Sequence, residues 1–76
     1  MSPHRLIEGA AFEPDTVRLL TKAYEAAVER LGGDQPLLVL ETIARQIINI
    51  ASTGERDLQR MVEYATRGID PLADTG

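Results

Sequence analysis

The sequence predicts a small all-α domain of three helices that is completed by homodimerisation, and three observations support the helical fold. Apolar residues recur at helical spacing in three stretches, at about residues 14–31, 36–51 and 58–67. Glycine follows each stretch, and proline or aspartate stands at or just before its start. No segment alternates apolar and polar residues as a strand does. The connections are short, which favours antiparallel neighbouring helices.

The first predicted helix begins at Pro14, which suits the first helical position because the N–H it lacks has no partner there. Glu13 is then the N-cap. Phe12, before the cap, and Val17, the fourth helical residue, occupy the two positions of a hydrophobic staple, so we expect these side chains to pack together. Gly32 ends the helix as a left-handed C′ residue.

The second predicted helix carries a wide apolar face. Residues 36–51 read PLLVLETIARQIINIA, and their apolar side chains cover roughly 180° of the helix surface. We expect the helix to begin at Asp34 or Gln35, with Pro36 in its first turn, and to end before Gly54. Because a face this wide needs more than one neighbour, this is the predicted central helix.

The third predicted helix is shorter and has a narrow apolar stripe. Asp57 is its expected N-cap. Gly68 is its expected C′ residue, and Ile69 just beyond can pack back against the helix. The stripe that faces the core consists of Leu58, Met61, Val62 and Ala65.

Both ends of the chain are predicted to lie outside the three-helix domain, which spans residues 12–69. Residues 1–11 show no sustained periodicity and are predicted to be a flexible leader, so their deletion is expected to leave stability nearly unchanged. The alternative is that Leu6 and Ile7 dock on the core. Residues 70–76 follow the helix-breaking Asp70–Pro71 pair and are predicted to be a flexible tail.

Composition argues against several classes of function. The chain has no cysteine and one histidine, His4, which we interpret as an ordinary solvated side chain. No nucleophile stands beside a plausible base, so we expect no enzyme activity, no cofactor and no metal. The net charge of −4 argues against nucleic acid, whose binders usually carry a basic excess. No apolar run approaches the ~20 residues of a membrane span, so we expect a cytoplasmic protein without a membrane partner.

A homodimer is predicted from an imbalance between the helices. The first helix also has an apolar arc near 180°, and the narrow third helix cannot cover what two wide faces leave exposed. A two-fold dimer would cover the remaining surface. The alternative is that Leu6 and Ile7 fold back and cover it within one chain, and another protein partner is also possible. The residues predicted at or beside this interface are Leu19, Tyr24, Leu38, Val39 and Ile50. Of these, Tyr24 is expected to pack either in the core or at the interface rim.

The third helix offers a candidate surface for anions or nucleic acid. If the helix extends back to Arg56, then Arg56, Arg60, Tyr64 and Arg67 lie within about 80° of one another, opposite the apolar stripe. Arginines that flank a tyrosine can bind phosphate or an acidic partner. The alternative is a solvated face with intrahelical pairs. The second and third helices also have the approximate spacing of a DNA-binding helix-turn-helix, but Asp57 and the acidic chain argue against that reading.

Three short motifs give the chain a resemblance to a known group of proteins. They are an F-E-P-D start at residues 12–15, the run IARQII at residues 43–48, and a G-E-R-D turn at residues 54–57. Together they resemble a family of small helical proteins from alpha-proteobacteria with an F-[DE]-P start, an LA-x-x-II helix and a GERD turn. The chain departs from that pattern at Ile43, where leucine is usual, and at Leu58, where proline often follows. The resemblance covers about residues 12–68, implies a helical fold, and implies no activity.

These observations together predict a non-enzymatic helical protein that acts through protein–protein interaction. A nucleic-acid-associated regulator that uses the Arg56–Arg67 surface is the alternative.

Overall fold

The structure, a computed structural model, describes residues 3–69 and contains four helices. They are α1 (Pro3–Glu8), α2 (Pro14–Arg30), α3 (Leu37–Ser52) and α4 (Leu58–Thr66). The described residues contain no strand. The all-α prediction is therefore confirmed, with one helix more than predicted. The tail at residues 70–76 and the side chain of His4 lie outside the described residues, as do the side chains of Pro3 and Glu8.

The additional helix, α1, lies where a flexible leader was predicted. Ile7 is completely buried, and Leu6 packs against the core. α1 contacts both α2 and α3. The predicted boundary at Phe12 is therefore wrong, and the alternative in which Leu6 and Ile7 dock is what the structure contains. A helix of six residues is too short to be stable alone or to show a period, so burial against the two wide faces must hold it.

The ends of α2 follow the predicted local rules. Pro14 is the first helical residue and Glu13 the N-cap. At the other end, Gly32 has a φ of 100°. The N–H of Gly32 donates to the Glu29 carbonyl at 2.9 Å, and the N–H of Gly33 donates to the Val28 carbonyl at 3.0 Å. These two bonds form a Schellman motif, in which glycine is favoured because the conformation is left-handed.

α3 begins two or three residues later than predicted. Pro36 is its N-cap, with a ψ of 152°, and Leu37 is the first helical residue. The prediction of a start at Asp34 or Gln35 is wrong because the residue before a proline avoids the helical region. Gln35 instead caps the preceding helix: its Nε2 donates to the carbonyl of Leu31, the C-cap of α2, at 2.9 Å.

The core is entirely apolar and draws on all four helices. Among the described residues, no polar or charged side chain is buried apart from Tyr24, whose body is mostly apolar. The staple residues Phe12 and Val17 are both partly buried and pack against this core, although their direct contact stays a prediction. The largest fully buried side chains are Ile7, Leu20, Ile43, Ile47 and Met61.

The turn between α3 and α4 is held by hydrogen bonds from backbone N–H groups to carboxylates. Gly54 has a φ of 99° and ends α3. A Glu55 carboxylate oxygen accepts from the backbone N–H groups of Arg56 at 3.2 Å and Asp57 at 3.0 Å. Asp57 in turn accepts from the Arg60 N–H at 3.0 Å. The prediction that Asp57 caps the last helix is confirmed.

Arg56 links three separate segments at this turn. Its Nη1 donates to the Ala51 carbonyl at 2.7 Å, near the end of α3, and to the Glu55 carbonyl at 2.8 Å. The same guanidinium lies over the Phe12 ring, with its central carbon 5.9 Å from the ring centroid. Arg56 therefore connects the segment before α2 to the end of α3.

We predict that Ile7→Ala lowers the free energy of unfolding by about 2–5 kcal/mol, because it leaves a cavity at a fully buried site. Urea denaturation followed by circular dichroism measures this loss. Arg5→Ala, at an exposed position of the same helix, is the matched control and should change little. Equal effects of the two substitutions would contradict the placement of Ile7 in the core.

We predict that Asp57→Ala costs about 0.5–2 kcal/mol of stability, since the Arg60 N–H loses its acceptor. Asp57→Ser keeps a capping oxygen and should recover most of the loss. Thermal melts of the three proteins test this. If serine is as damaging as alanine, the carboxylate acts through something other than the cap.

We predict that Arg56→Met costs about 0.5–1.5 kcal/mol, because it removes the donors to the two carbonyls while keeping an apolar stem. Arg60→Met is the control. Its side chain is 75% exposed and lies 3.8 Å from the Glu55 carboxylate, a surface ion pair of little energetic value. Urea midpoints that fall equally for both variants would remove the structural role assigned to Arg56.

Candidate functional site

The five residues predicted at a dimer interface do not form one exposed surface. Leu19, Val39 and Ile50 are partly buried and pack against the core. Tyr24 is buried within α2, where burial, and secondarily the charge of Glu25, raises the pKa of its hydroxyl. Of the five residues, only Leu38 is largely exposed. α1 packs against α2 and α3. It therefore covers within one chain apolar surface that a second chain was predicted to cover.

An exposed leucine pair lies at the start of α3. Leu37 is 56% exposed and Leu38 is 74% exposed. Leu38 begins a solvent-facing row that continues, at helical spacing, through Arg45 and Asn49, both exposed. Leu58, 40% exposed at the start of α4, is the other large apolar side chain that the described residues expose. Leu37 was not predicted as a surface residue, because its place depends on where α3 starts.

The predicted arginine and tyrosine surface is divided in the structure. α4 begins at Leu58, so Arg56 lies in the turn and not on the helix face. Its guanidinium is engaged by carbonyl groups. Arg60 remains exposed near the Glu55 carboxylate. At the other end of α4, the Arg67 guanidinium carbon lies 5.8 Å from the centroid of the Tyr64 ring, in cation–π geometry.

An open cleft lies between the C-terminal ends of α2 and α4 and has a volume of about 510 Å³. It combines apolar side chains with a hydroxyl, a carboxylate and two guanidinium groups. Its lining consists of Arg30, Leu31, Glu63, Thr66, Arg67 and Ile69. The Thr66 hydroxyl donates to the Val62 carbonyl at 2.9 Å, which orients it along the helix. Sequence reasoning missed this cleft because its two arginines come from different helices.

The cleft places charged side chains of both signs beside apolar ones. Neither Arg30 nor Arg67 forms an ion pair with a carboxylate whose side chain the structure describes. Both arginine residues are exposed, whereas Leu31 beneath them is buried. Two guanidiniums and one Glu63 carboxylate give the lining a formal charge of +1 (2 − 1). The lining therefore carries a small positive charge at the carbonyl ends of two helices.

The described part of the chain contains no group of three or more histidine, cysteine, aspartate or glutamate side chains placed to hold a metal ion. It also contains no helix with the length and apolarity needed to cross a bilayer.

Comparison with known protein families, curated proteins and solved structures finds no match to this chain. The resemblance to the alpha-proteobacterial family therefore stays a prediction.

Proposed function

We propose that this chain is a non-enzymatic protein-interaction domain that forms a homodimer through the exposed start of α3. The observation that carries the proposal is the exposure of Leu37 and Leu38, two adjacent large apolar side chains, beside a core that is otherwise well covered. A contact that removes them from water is favourable by about 1.5–3 kcal/mol for each side chain that becomes fully buried.

The charges on the same helix suit a two-fold contact. Glu41 and Arg45 follow Leu38 along α3, one turn apart. In a dimer with antiparallel α3 helices, Glu41 of one copy can approach Arg45 of the other, and the relation is repeated by symmetry. These pairs set the register of the contact, while the leucines supply its apolar surface.

The expected dimer is weak. Association costs about 4–15 kcal/mol in translational and rotational freedom, which two leucines per copy offset only in part. The partial burial of Leu19, Val39 and Ile50 also removes much of the apolar surface first assigned to the interface. We therefore expect dimerisation to depend on concentration. A different protein that presents an apolar patch could occupy the same leucines.

The lack of cysteine supports a reducing compartment, and we propose a cytoplasmic location.

A nucleic-acid role for α4 is the second candidate, and the stacking of Arg67 on Tyr64 favours it. The acidic chain, the engagement of Arg56 and the position of Glu55 beside Arg60 all count against it. A gel-shift series separates the candidates, because phosphate contacts make affinity fall steeply with salt. Apolar dimerisation does not weaken in this way.

We predict that Leu38→Glu abolishes dimerisation without loss of helicity, since it places a carboxylate within the proposed contact while its site is exposed in the monomer. Light scattering over a micromolar to millimolar range should show the wild-type mass rising from 8.3 kDa toward twice that value. The variant should remain at 8.3 kDa.

Leu58→Glu is the matched control, because Leu58 is an exposed leucine at the start of a different helix, α4. It should leave the dimer intact. A wild-type mass that stays at 8.3 kDa at every concentration would refute the homodimer. Equal loss in both leucine variants would refute the assigned surface.

A further inference from the structure

We propose that α1 is an exchangeable helix: the groove between α2 and α3 that it fills also accepts α1 from a second copy of this chain, which accepts an α1 in return. The exchanged pair is a closed two-fold dimer, because each copy gives one helix and receives one. The proposal does not rest on the exposed leucines of α3, since it concerns other elements and other side chains.

Apolar packing holds α1 in its groove. Ile7 is completely buried and Leu6 is partly buried against the core, whereas Arg5 is exposed. A helix of six residues is not stable alone, so α1 either docks on such a groove or unfolds. The α1 of a second copy has the same sequence and can therefore reproduce these contacts.

A short hinge joins α1 to a fixed point of the structure. Phe12 packs against the core, and the Arg56 guanidinium lies over its ring. Only residues 9–11 lie between this point and the end of α1 at Glu8. Short hinges favour exchange, because they restrict the reversal of the chain that docking within one copy requires.

The hinge is closely packed in the closed chain. The N–H of Gly9 donates to the Arg5 carbonyl at 2.8 Å, and a Cβ at Gly9 would lie 3.1 Å from that oxygen. The N–H of Ala10 donates to the Ile7 carbonyl at 3.2 Å, and the Ala10 carbonyl accepts from the Phe12 N–H at 2.9 Å. When the hinge extends, Ala10 loses both bonds, and water can replace these partners because the neighbours of Ala10 are exposed.

Concentration and hinge length decide between the closed and exchanged forms. The exchanged dimer keeps the core contacts of α1 but loses the translational and rotational freedom of one independent copy. The closed chain holds α1 beside its own groove at a high effective concentration. Exchange is therefore populated at high protein concentration, or when the hinge is too short to reverse.

Hinge length tests the proposal, with Leu38→Glu in every variant so that the leucine contact is removed. Deletion of Ala10 and Ala11 should prevent the reversal, and light scattering at micromolar concentration should then give a mass near twice the 8.3 kDa of one chain. Insertion of two glycines after Ala11 is the matched control and should keep the mass near 8.3 kDa. Ile7→Ser in the shortened chain should abolish its dimer, because the exchanged helix loses its buried side chain.

Nuclear Overhauser spectra of mixed samples identify the copy whose α1 fills the groove. Differently labelled full-length Leu38→Glu chains are unfolded together in urea and refolded at millimolar concentration. We expect cross-peaks from the Ile7 methyl groups of one copy to methyl groups of α2 or α3 of the other.

Two results would overturn the proposal. The first is a refolded mixture in which no cross-peak joins the Ile7 methyl groups of one copy to the other copy. The second is a shortened-chain dimer that survives Ile7→Ser, which would show that uncovered apolar surface, and not an exchanged α1, joins the copies. Neither result bears on the comparison of the wild-type chain with Leu38→Glu, so helix exchange and the leucine contact fail or survive separately.

Discussion

Burial of Ile7 is the contact on which the rest of this structure depends. A chain of 76 residues without cysteine has no disulfide to stabilise it and must rely on one small apolar core. α2 and α3 each present a wide apolar face, and α4 alone is too narrow to cover both. α1 supplies the missing side chain, and its Ile7 joins Leu20 and Ile47 among the fully buried residues. The core is thereby closed within one chain, and the surface left for partners is reduced to local features.

The G-E-R-D turn is held by its own backbone and side-chain hydrogen bonds. Gly54 allows the left-handed end of α3, Glu55 accepts from two backbone N–H groups, and Asp57 caps α4. Arg56 donates from Nη1 to the carbonyl groups of Ala51 and Glu55, and its guanidinium lies over the Phe12 ring. These contacts hold its guanidinium at the turn, before the start of α4. Two other exposed arginines, Arg30 and Arg67, are brought to one cleft from the C-terminal ends of α2 and α4.

Sequence reasoning succeeded where a local rule decides the structure. Proline at the first helical position located the start of α2, glycine located three helix ends, and Asp57 located the cap of α4. Each of these depends on a few neighbouring residues and their φ and ψ angles. The predicted start of α3 is two or three residues too early, because Pro36 disfavours the helical conformation at Gln35.

The rest could not be predicted because it depends on tertiary contacts. A helix as short as α1 has no readable period and forms only against the faces that bury it. The exposure of Leu37 follows from the late start of α3, and the cleft needs the ends of α2 and α4 to be placed side by side. The homodimer was predicted from an apolar surplus that included Leu19, Val39 and Ile50, and these residues pack on the core. The exposed apolar surface that supports a dimer is the pair Leu37 and Leu38.

Deletion of residues 1–11 tests most directly whether α1 completes the core. If it does, the shortened chain exposes the apolar surface that α1 covers, and its urea midpoint falls well below that of the full chain. The loss should be a large fraction of the total, because a core of this size supplies only about 3–5 kcal/mol of net stability. The shortened chain should also bind a dye that reports exposed apolar surface. An unchanged midpoint without dye binding would contradict this account, because it would show that the core does not need the first eleven residues.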